Sequence, residues 1–322
     1  MEKIRTTSFY EMSKENLSPL QNFSLQDEPF ISSIKLKLES LPVTVAKSLS
    51  KKPKETFKVL SKFEVQASVK SMLESYFLDH HTVIGDILAS HPSLSPSIWF
   101  KVVDWIIDLT SALKFKCDAA FVAVNYFNRF LRNSKSLLPG HLEIVGLTCF
   151  FMAAKLENAD CMIIPDLFRF AKDPIPSVKE FVYIEAKIMT ALNFNLHCIS
   201  PLKILHEIGK PFDFSTEELM LGWYLLEISL LSLEFVNCSA SQSAMIVSRC
   251  IVITVRKLDF DNELFSLVGL TLEEADDLTD ALKDLVELIQ TPEEWDDSVK
   301  PRVRSKFQNS YYKGVGHRTI NI

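Results

Sequence analysis

One predicted helix constrains the fold of this 322-residue chain more than any other segment. Ser95 and Pro96 form a helix-start signal, a capping residue followed by a first-turn proline, and an apolar pattern continues from there to about Leu113. The polar positions within it form one narrow stripe: Lys101, Asp104 and Asp108. A helix that is apolar almost all round its circumference is predicted to lie at the centre of a helical bundle.

The rest of the chain also favours helices. It has only 8 glycines and few alternating apolar runs, which argues against strands. Residues 1–60 keep no apolar period and are rich in Ser, Lys, Thr and Pro, so we expect a disordered tail there. A short amphipathic helix is expected at about 64–77, followed by helices at 95–113, 117–132, 141–157, 164–171, 177–192, 201–208, 216–234, 239–257, 261–267, 271–290 and 294–306.

Composition and motifs exclude several classes of function. The net charge of −6 provides no cationic field for nucleic acid, and no segment has the roughly 18 uncharged apolar residues of a membrane helix. The first residues carry no apolar signal core, so an intracellular protein with no membrane partner is expected. We find no common nucleotide-binding, hydrolase or metalloprotease motif, and expect no cofactor. The six cysteines lie in apolar patterns and are expected to be reduced and buried: 117, 149, 161, 198, 238 and 250.

Three short runs on successive predicted helices resemble the cyclin box: Val102-Val103-Asp104-Trp105, Ala123 to Phe130, and Ala153-Ala154-Lys155-Leu156-Glu157. The resemblance extends from about residue 64 to the C-terminus and is closest to the mitotic A- and B-type cyclins, whose second-box ending is similar to residues 306–315. It implies an all-α fold with two tandem five-helix cyclin-box domains. The expected domains are a regulatory tail at 1–60, a helix and linker at 61–95, a first box at 96–199 and a second box with its tail at 200–322.

The same resemblance implies a function. Cyclins bind and activate cyclin-dependent protein kinases, so the chain is expected to be a regulatory subunit in cell-cycle control rather than an enzyme, present in nucleus and cytoplasm. A cyclin-fold adaptor or transcription-factor-like protein that activates no kinase is the alternative. Proteins of that second kind tend to carry a zinc ribbon or a basic face, and the sequence shows neither. A helical enzyme would need a polar cleft that the sequence does not reveal.

The resemblance places a kinase-binding surface on the third and fifth helices of the first box. In the family, a buried lysine and a glutamate hold these helices together and cap the kinase's regulatory helix, and the matching positions are Lys155 and Glu185. An ordinary surface ion pair is the alternative, but the apolar residues before Lys155 favour an embedded charge that needs a partner. The other residues expected on this surface are Leu156, Glu157, Met189, Phe194 and Leu196.

Two positions depart from the family together. Trp99 stands where cyclins usually have an arginine, and Asn128 replaces its aspartate partner. Loss of one member of a buried ion pair leaves an uncompensated charge, whereas a neutral pair can be tolerated. We therefore expect an intact fold with an altered junction between the first and second helices.

Many cyclins also bind arginine-and-leucine peptides of substrates on a shallow apolar patch. The matching residues include an aliphatic position that is Lys101 here, and a cation there would repel a basic peptide. A solvated edge of the central helix is the alternative to such a substrate-docking patch. The residues that would form the patch are Ile98, Val102, Trp105, Asp108 and Glu143.

The N-terminal tail contains short regulatory motifs. Lys14-Glu15-Asn16 looks like the KEN degron that the anaphase-promoting ubiquitin ligase recognises, although a tripeptide also occurs by chance. Ser18-Pro19 is a candidate proline-directed phosphorylation site. Lys51-Lys52-Pro53-Lys54 fits either a nuclear-import signal or a solvated linker.

Overall fold

The computed structural model of the chain describes residues 61–76, 84–113, 118–157, 167–171, 177–291, 301–318 and 320. Its α-helices, in chain order, are α1 Lys62–Tyr76, α2 Pro96–Ala112, α3 Asp118–Asn133, α4 Leu142–Glu157, α5 Val178–Ala191, α6 Pro201–Phe212, α7 Thr216–Ser229, α8 Ala240–Thr254, α9 Leu264–Leu267, α10 Leu272–Gln290 and α11 Arg302–Phe307. Short 3₁₀ turns occur at Pro139–His141, Phe168–Phe170, Glu234–Asn237, Ser310–Tyr312 and Val315–His317.

Helices α2 to α5 form the first helical domain, and α2 lies inside it as predicted. It packs against α3 and α4, which also pack extensively against each other, and α5 packs against both α3 and α4. A Cβ at Gly146 would lie 3.1 Å from Cγ1 of Val102, so α4 approaches α2 closely where it has no side chain. Where a helix was expected at 164–171, the described residues include the 3₁₀ turn Phe168–Phe170.

Helices α6 to α10 form the second helical domain. Helix α8 packs against α6 and α7, and α10 packs against α7. A Cβ at Gly222 would lie only 2.5 Å from Cδ2 of Leu205, which shows how tightly α7 crosses α6. Each domain therefore has a glycine where two of its helices cross closely.

Several predicted helix ends in the second domain were wrong. Helix α6 continues past 208 to Phe212, with Pro211 in its last turn, and the chain turns only at Asp213, whose φ is 52°. Proline lacks the N–H of a helical hydrogen bond, so at this position it costs α6 one bond near its end. Helix α7 ends at Ser229 rather than 234, where the Ser229 hydroxyl donates to the Leu226 carbonyl. Helix α8 ends at Thr254 rather than 257.

Capping residues fix where most helices begin. Their side-chain oxygens accept hydrogen bonds from backbone N–H groups of the first turn that have no helical partner. The helices α7, α8 and α10 each start with a reciprocal capping box, in which a residue three positions on also binds the cap. The capping residues are Ser95, Ser177, Ser200, Ser215, Ser239 and Thr271.

Helices α1 and α11 connect the two domains. Although α1 precedes the first domain in sequence, it packs against α6 and α9 of the second. There Nζ of Lys62 lies 2.9 Å from Oδ1 of Asp261. Helix α11 packs against α2 of the first domain and α7 of the second. None of the helices in the described ranges is both long and apolar enough to cross a membrane.

Candidate functional site

The end of α4 and the outer face of α5 carry the pair of charges predicted from the sequence. The ammonium of Lys155 forms an ion pair and hydrogen bond with Oε1 of Glu185. Nζ of Lys155 also lies 4.5 Å from the ring centre of Phe151, within reach of a cation–π attraction. The expectation of a buried lysine was wrong for the isolated chain, because the Lys155 side chain is 39% exposed and that of Glu185 is 20% exposed. The pair therefore joins two helices while remaining accessible to a partner.

Two predicted residues beside this pair expose large apolar side chains. Leu156 is 57% exposed and Phe194 is 69% exposed. Met189 and Leu196 are half-buried and pack against the core. Glu157 ends α4, and its side chain lies outside the described residues. Exposed apolar side chains as large as Leu156 and Phe194 are typical of surfaces that bind another protein.

Two further apolar residues on α5 were missed by the sequence analysis. Val178 and Val182 are 44% and 48% exposed. Spacings of four, three and four residues place them on one face of α5 with Glu185 and Met189. The core face of α5 is separate and includes Phe181. The helical period alone could have identified the two valines, because they continue the predicted face by more than one turn toward the start of α5.

We call the exposed face of α5 with the end of α4 the α4–α5 surface; its members are Lys155, Leu156, Val178, Val182, Glu185, Met189 and Phe194. It combines one ion pair with a row of apolar side chains. An apolar surface with a few fixed charges suits recognition of another protein. No group of potential metal ligands occurs in the described part of the chain.

The junction between α2 and α3 has the altered pairing that the sequence predicted. Nε1 of Trp99 donates a hydrogen bond of 2.9 Å to Oδ1 of Asn128, and both residues are buried. A neutral hydrogen bond thus stands where the family has an ion pair. Because both members changed, neither is left as an unpaired buried charge.

The predicted substrate-docking patch is only partly at the surface. Val102 is buried because α4 packs against α2, and Glu143, in the first turn of α4, is buried too, so both residues are corrected from surface to buried. Ile98 and Trp105 are half-buried and contact the core. Nη1 of Arg302 lies 2.5 Å from Oδ2 of Asp108, so that carboxylate already has a cation.

The C-terminal helix α11 binds α2 through a buried carboxylate. The backbone N–H of Arg302 donates to both carboxylate oxygens of Asp104, at 3.0 and 3.1 Å. Burial raises the pKa of Asp104 to about 7, although the N–H groups of Arg302 and Val303 favour its charged form. Asp108 nearby adds a further upward effect on the pKa.

The second domain holds a fully enclosed ion pair. Lys306 and Glu227 have side chains that are 5% and 0% exposed, and Nζ of the lysine lies 2.5 Å from Oε1 of the glutamate. The same oxygen accepts a hydrogen bond of 2.7 Å from Nε1 of Trp223. Burial raises the pKa of Glu227, while Lys306 opposes that rise. Nζ of Lys306 is also within 6 Å of three ring centres, those of Trp223, Phe307 and Tyr312.

The remaining predictions are partly covered by the structure. Cys149 and Cys250 are free and buried, and burial raises the pKa of both thiols, to about 12 for Cys250. Cys198 and Cys238 are only half-buried, which corrects the expectation that all six are buried. The cysteines at 117 and 161 lie outside the described residues, as do Lys14, Glu15, Asn16 and the rest of the tail motifs.

Two helical domains follow one another in this chain, which places it in the class of all-α proteins with two tandem helical domains. The model for the N-terminal domain of cyclins matches residues 69–197, and the model for the cyclin C-terminal domain matches residues 189–318. The chain belongs to the cyclin family. The resemblance found in the sequence and the all-α tandem fold are thereby confirmed.

A curated relative supports the mitotic branch of the family. The chain is 29% identical over 198 residues to the G2/mitotic-specific cyclin-B of Emericella nidulans, a match that covers 60% of this chain and 40% of the relative. The chain therefore spans about two fifths of the length of that relative. It is similar to mitotic cyclins and divergent from them.

Solved structures share the fold. A viral cyclin from herpesvirus saimiri superposes with a TM-score of 0.58 at 13% identity, over 68% of this chain and 96% of that chain. The yeast RNA polymerase II CTD kinase complex CTDK-1 matches with a TM-score of 0.52 at 14% identity, over 74% of each chain. At these identities the two matches establish the fold alone.

Proposed function

We propose that the chain is the regulatory subunit of a cyclin-dependent protein kinase, which it binds through the α4–α5 surface and holds in the active state. The observation that carries this proposal is the exposed Lys155–Glu185 pair with apolar side chains around it. One neighbour in fold comes from a kinase complex, and the curated relative is a mitotic cyclin. Both are consistent with such a role, and with a chain that is not itself an enzyme.

The mechanism follows from what a kinase needs. An active kinase keeps a lysine of its third strand paired with a glutamate of its regulatory helix, so that helix must be turned inward. A subunit that binds only the inward arrangement shifts the population toward it. A change from 1:99 to 99:1 requires about 5.5 kcal/mol of differential binding. An interface above about 2,000 Å² could provide that energy, and the subunit contributes no catalytic residue.

Within the proposed complex, Lys155 and Glu185 have a defined chemical role. Their charges already neutralise each other, so a partner that covers them meets a compensated pair rather than an isolated ion. The unused lone pairs of the carboxylate and the N–H groups of the ammonium remain available to cap backbone groups at the end of the kinase's regulatory helix. Val178, Val182 and Phe194 would pack against apolar side chains of the kinase.

The proposal also covers the role in the cell cycle, the localisation, the substrate-docking residues and the degron. The similarity to a mitotic cyclin supports a role in mitosis and cell division, and such a role fits a protein present in nucleus and cytoplasm. Ile98, Trp105 and Asp108 remain a proposed substrate-docking edge. Recognition of the KEN tripeptide by the anaphase-promoting ubiquitin ligase rests on the sequence motif alone.

The test is to mix the purified chain with a panel that contains a mitotic cyclin-dependent kinase and an RNA polymerase II CTD kinase. Complex formation is followed by size-exclusion chromatography, and activity is assayed on a serine-proline peptide. We expect a complex and activation that the Lys155→Ala, Glu185→Ala double variant loses. The matched control replaces the exposed pair of the second domain, Arg318→Ala with Glu217→Ala, and should bind normally.

Two results would contradict the proposal. Failure of every kinase in the panel to bind would favour the adaptor alternative, with the Trp99–Asn128 junction as the first place to look for the difference. Unchanged binding by the Lys155→Ala, Glu185→Ala variant would show that a kinase attaches to some other surface.

A further inference from the structure

The link between α5 and the second domain has an unusual backbone. Asn193 and Phe194 follow each other with φ angles of 52° and 56°, in the left-handed region that side chains other than glycine rarely adopt. For a residue as bulky as phenylalanine this conformation is costly, and it persists only when the surrounding structure enforces it. The Phe194 side chain itself is 69% exposed, so burial of the ring does not provide that stabilisation.

Three side chains from one face of α3 hold this link. They occur at spacings of three and four residues and donate to three backbone carbonyls on either side of Phe194. Nδ2 of Asn133 donates to the carbonyl of Ala191 at 2.8 Å, and the hydroxyl of Tyr126 donates to that of Leu196 at 2.6 Å. These contacts fix both ends of the turn.

Arg129 makes the contact nearest the ring. Its Nη2 donates to the carbonyl of Asn195 at 2.9 Å, directly after Phe194 in the chain. Within the turn, the N–H of Phe194 donates to the carbonyl of Met189 at 2.9 Å, and that of Asn195 donates to the carbonyl of Leu192 at 3.0 Å. The N–H groups of Asn193, Phe194 and Asn195 are thus all bonded to backbone carbonyls, while the largest side chain of the turn faces solvent.

We infer that Tyr126, Arg129 and Asn133 are positioning residues, which hold the strained turn so that Phe194 is presented as a rigid apolar anchor for the kinase. The inference rests on the proposed function and extends it from the contact surface to the helix behind that surface. A side chain fixed before binding loses less conformational freedom in the complex, and such pre-organised aromatic residues are typical anchors of interfaces. The strained backbone at Phe194 lowers the stability of the folded chain, and it fixes the position of an exposed side chain.

A double-mutant cycle tests the inference with the full chain and the kinase from the panel that it binds. Phe194→Gly removes the ring and the strain together, and is expected to raise the Kd about 30-fold while leaving the unfolding midpoint equal or higher. Arg129→Met is expected to raise the Kd about 5-fold in the native chain but less than about 2-fold in the Phe194→Gly background. Arg132→Met, which alters a guanidinium beside Gly85 one turn along α3, is the matched control and should leave the Kd unchanged.

Hydrogen exchange gives a readout that needs no kinase. In the Arg129→Met chain the amides of Phe194 and Asn195 should exchange at least about 5-fold faster, while amides inside α3 keep their native rates. Equal losses of affinity in both backgrounds, or unchanged exchange of these two amides, would overturn the positioning role and leave the proposed function standing. Failure of the native chain to bind any kinase would overturn the proposed function and this inference with it.

Discussion

Each helical domain has a lysine–glutamate pair that joins two helices, and the pair is buried in the second domain but lies at the surface in the first. In the second domain, Lys306 and Glu227 are enclosed by aromatic rings and shielded from solvent. In the first domain, the buried junction is neutral, and the ion pair of Lys155 and Glu185 lies at the surface. A buried pair is costly to break and so fixes architecture, whereas an exposed pair contributes little to stability and remains free to contact a partner.

The different burial of the two ion pairs indicates different roles for the two domains. The second domain uses its pair to attach α11, because Lys306 belongs to that helix and Glu227 to α7. The same helix reaches the first domain through Arg302 and Asp104. The second domain is therefore the part that secures the two-domain structure, and the first domain provides the α4–α5 surface. Four measurements of unfolding free energy test this contrast.

The largest effect is expected from Lys306→Met. The change leaves Glu227 buried without its cation, and breaking a buried pair in this way costs about 3–5 kcal/mol. Urea unfolding of the native chain and the variant measures the loss. Adding Glu227→Leu to Lys306→Met should recover a large part of it, because no charge then remains buried. If the single variant lost less than about 1 kcal/mol, the pair would not be structural.

A smaller loss is expected from Trp99→Phe. Oδ1 of Asn128 would lose its donor while buried, which costs about 1–3 kcal/mol, and the smaller ring adds a cavity cost. Asn128→Leu in the same background removes the unsatisfied oxygen and should return part of the stability. Thermal unfolding of the three chains compares them. If adding Asn128→Leu destabilised the Trp99→Phe chain further, the contact of Trp99 with Asn128 would not be a simple neutral hydrogen bond.

Asp104 should give stability a distinctive pH dependence. Its folded pKa of about 7 lies above the unfolded value of about 4, so between these pH values the folded chain holds a proton that the unfolded chain has lost. The contribution of Asp104 to stability is therefore full below about pH 4, falls as the pH rises toward 7 and is constant above that. Asp104→Asn should flatten the difference in unfolding free energy between pH 5 and pH 8. If the Asp104→Asn chain kept the native difference in unfolding free energy between pH 5 and pH 8, the raised pKa of Asp104 would be contradicted.

The smallest effect on stability is expected from Lys155→Ala. An exposed pair contributes about 0–1 kcal/mol, so the unfolding midpoint should hardly move. Kinase binding, by contrast, should fall sharply if the α4–α5 surface is the site. The variant is compared with Lys306→Met by the same urea unfolding assay. A loss of stability in the Lys155→Ala chain as large as that of Lys306→Met would remove the contrast between the two domains.

Much of the fold could be predicted from the chain. The start of α2 at Pro96 and the first-domain helices follow from capping residues, prolines and apolar periods, whereas the tandem arrangement came from the family resemblance. The identity of the Lys155–Glu185 pair came from the family resemblance, and the structure places the two side chains in contact. Helix ends were predicted less accurately, since α6 includes Pro211 and ends only one residue after it. The exposed valines of α5 were missed although their spacing was visible.

From the sequence came most of the helices, because capping and apolar periodicity are local properties, and the family resemblance identified the neutral exchange at Trp99 and Asn128. Tertiary packing buries Val102, brings the start of α11 to Asp104 and joins Lys306 to Glu227, and none of these contacts could be predicted from the sequence. Those contacts join residues 79 to 198 positions apart. Burial and pairing over such separations depend on how helices pack, and helix packing is set by the whole core rather than by any one segment.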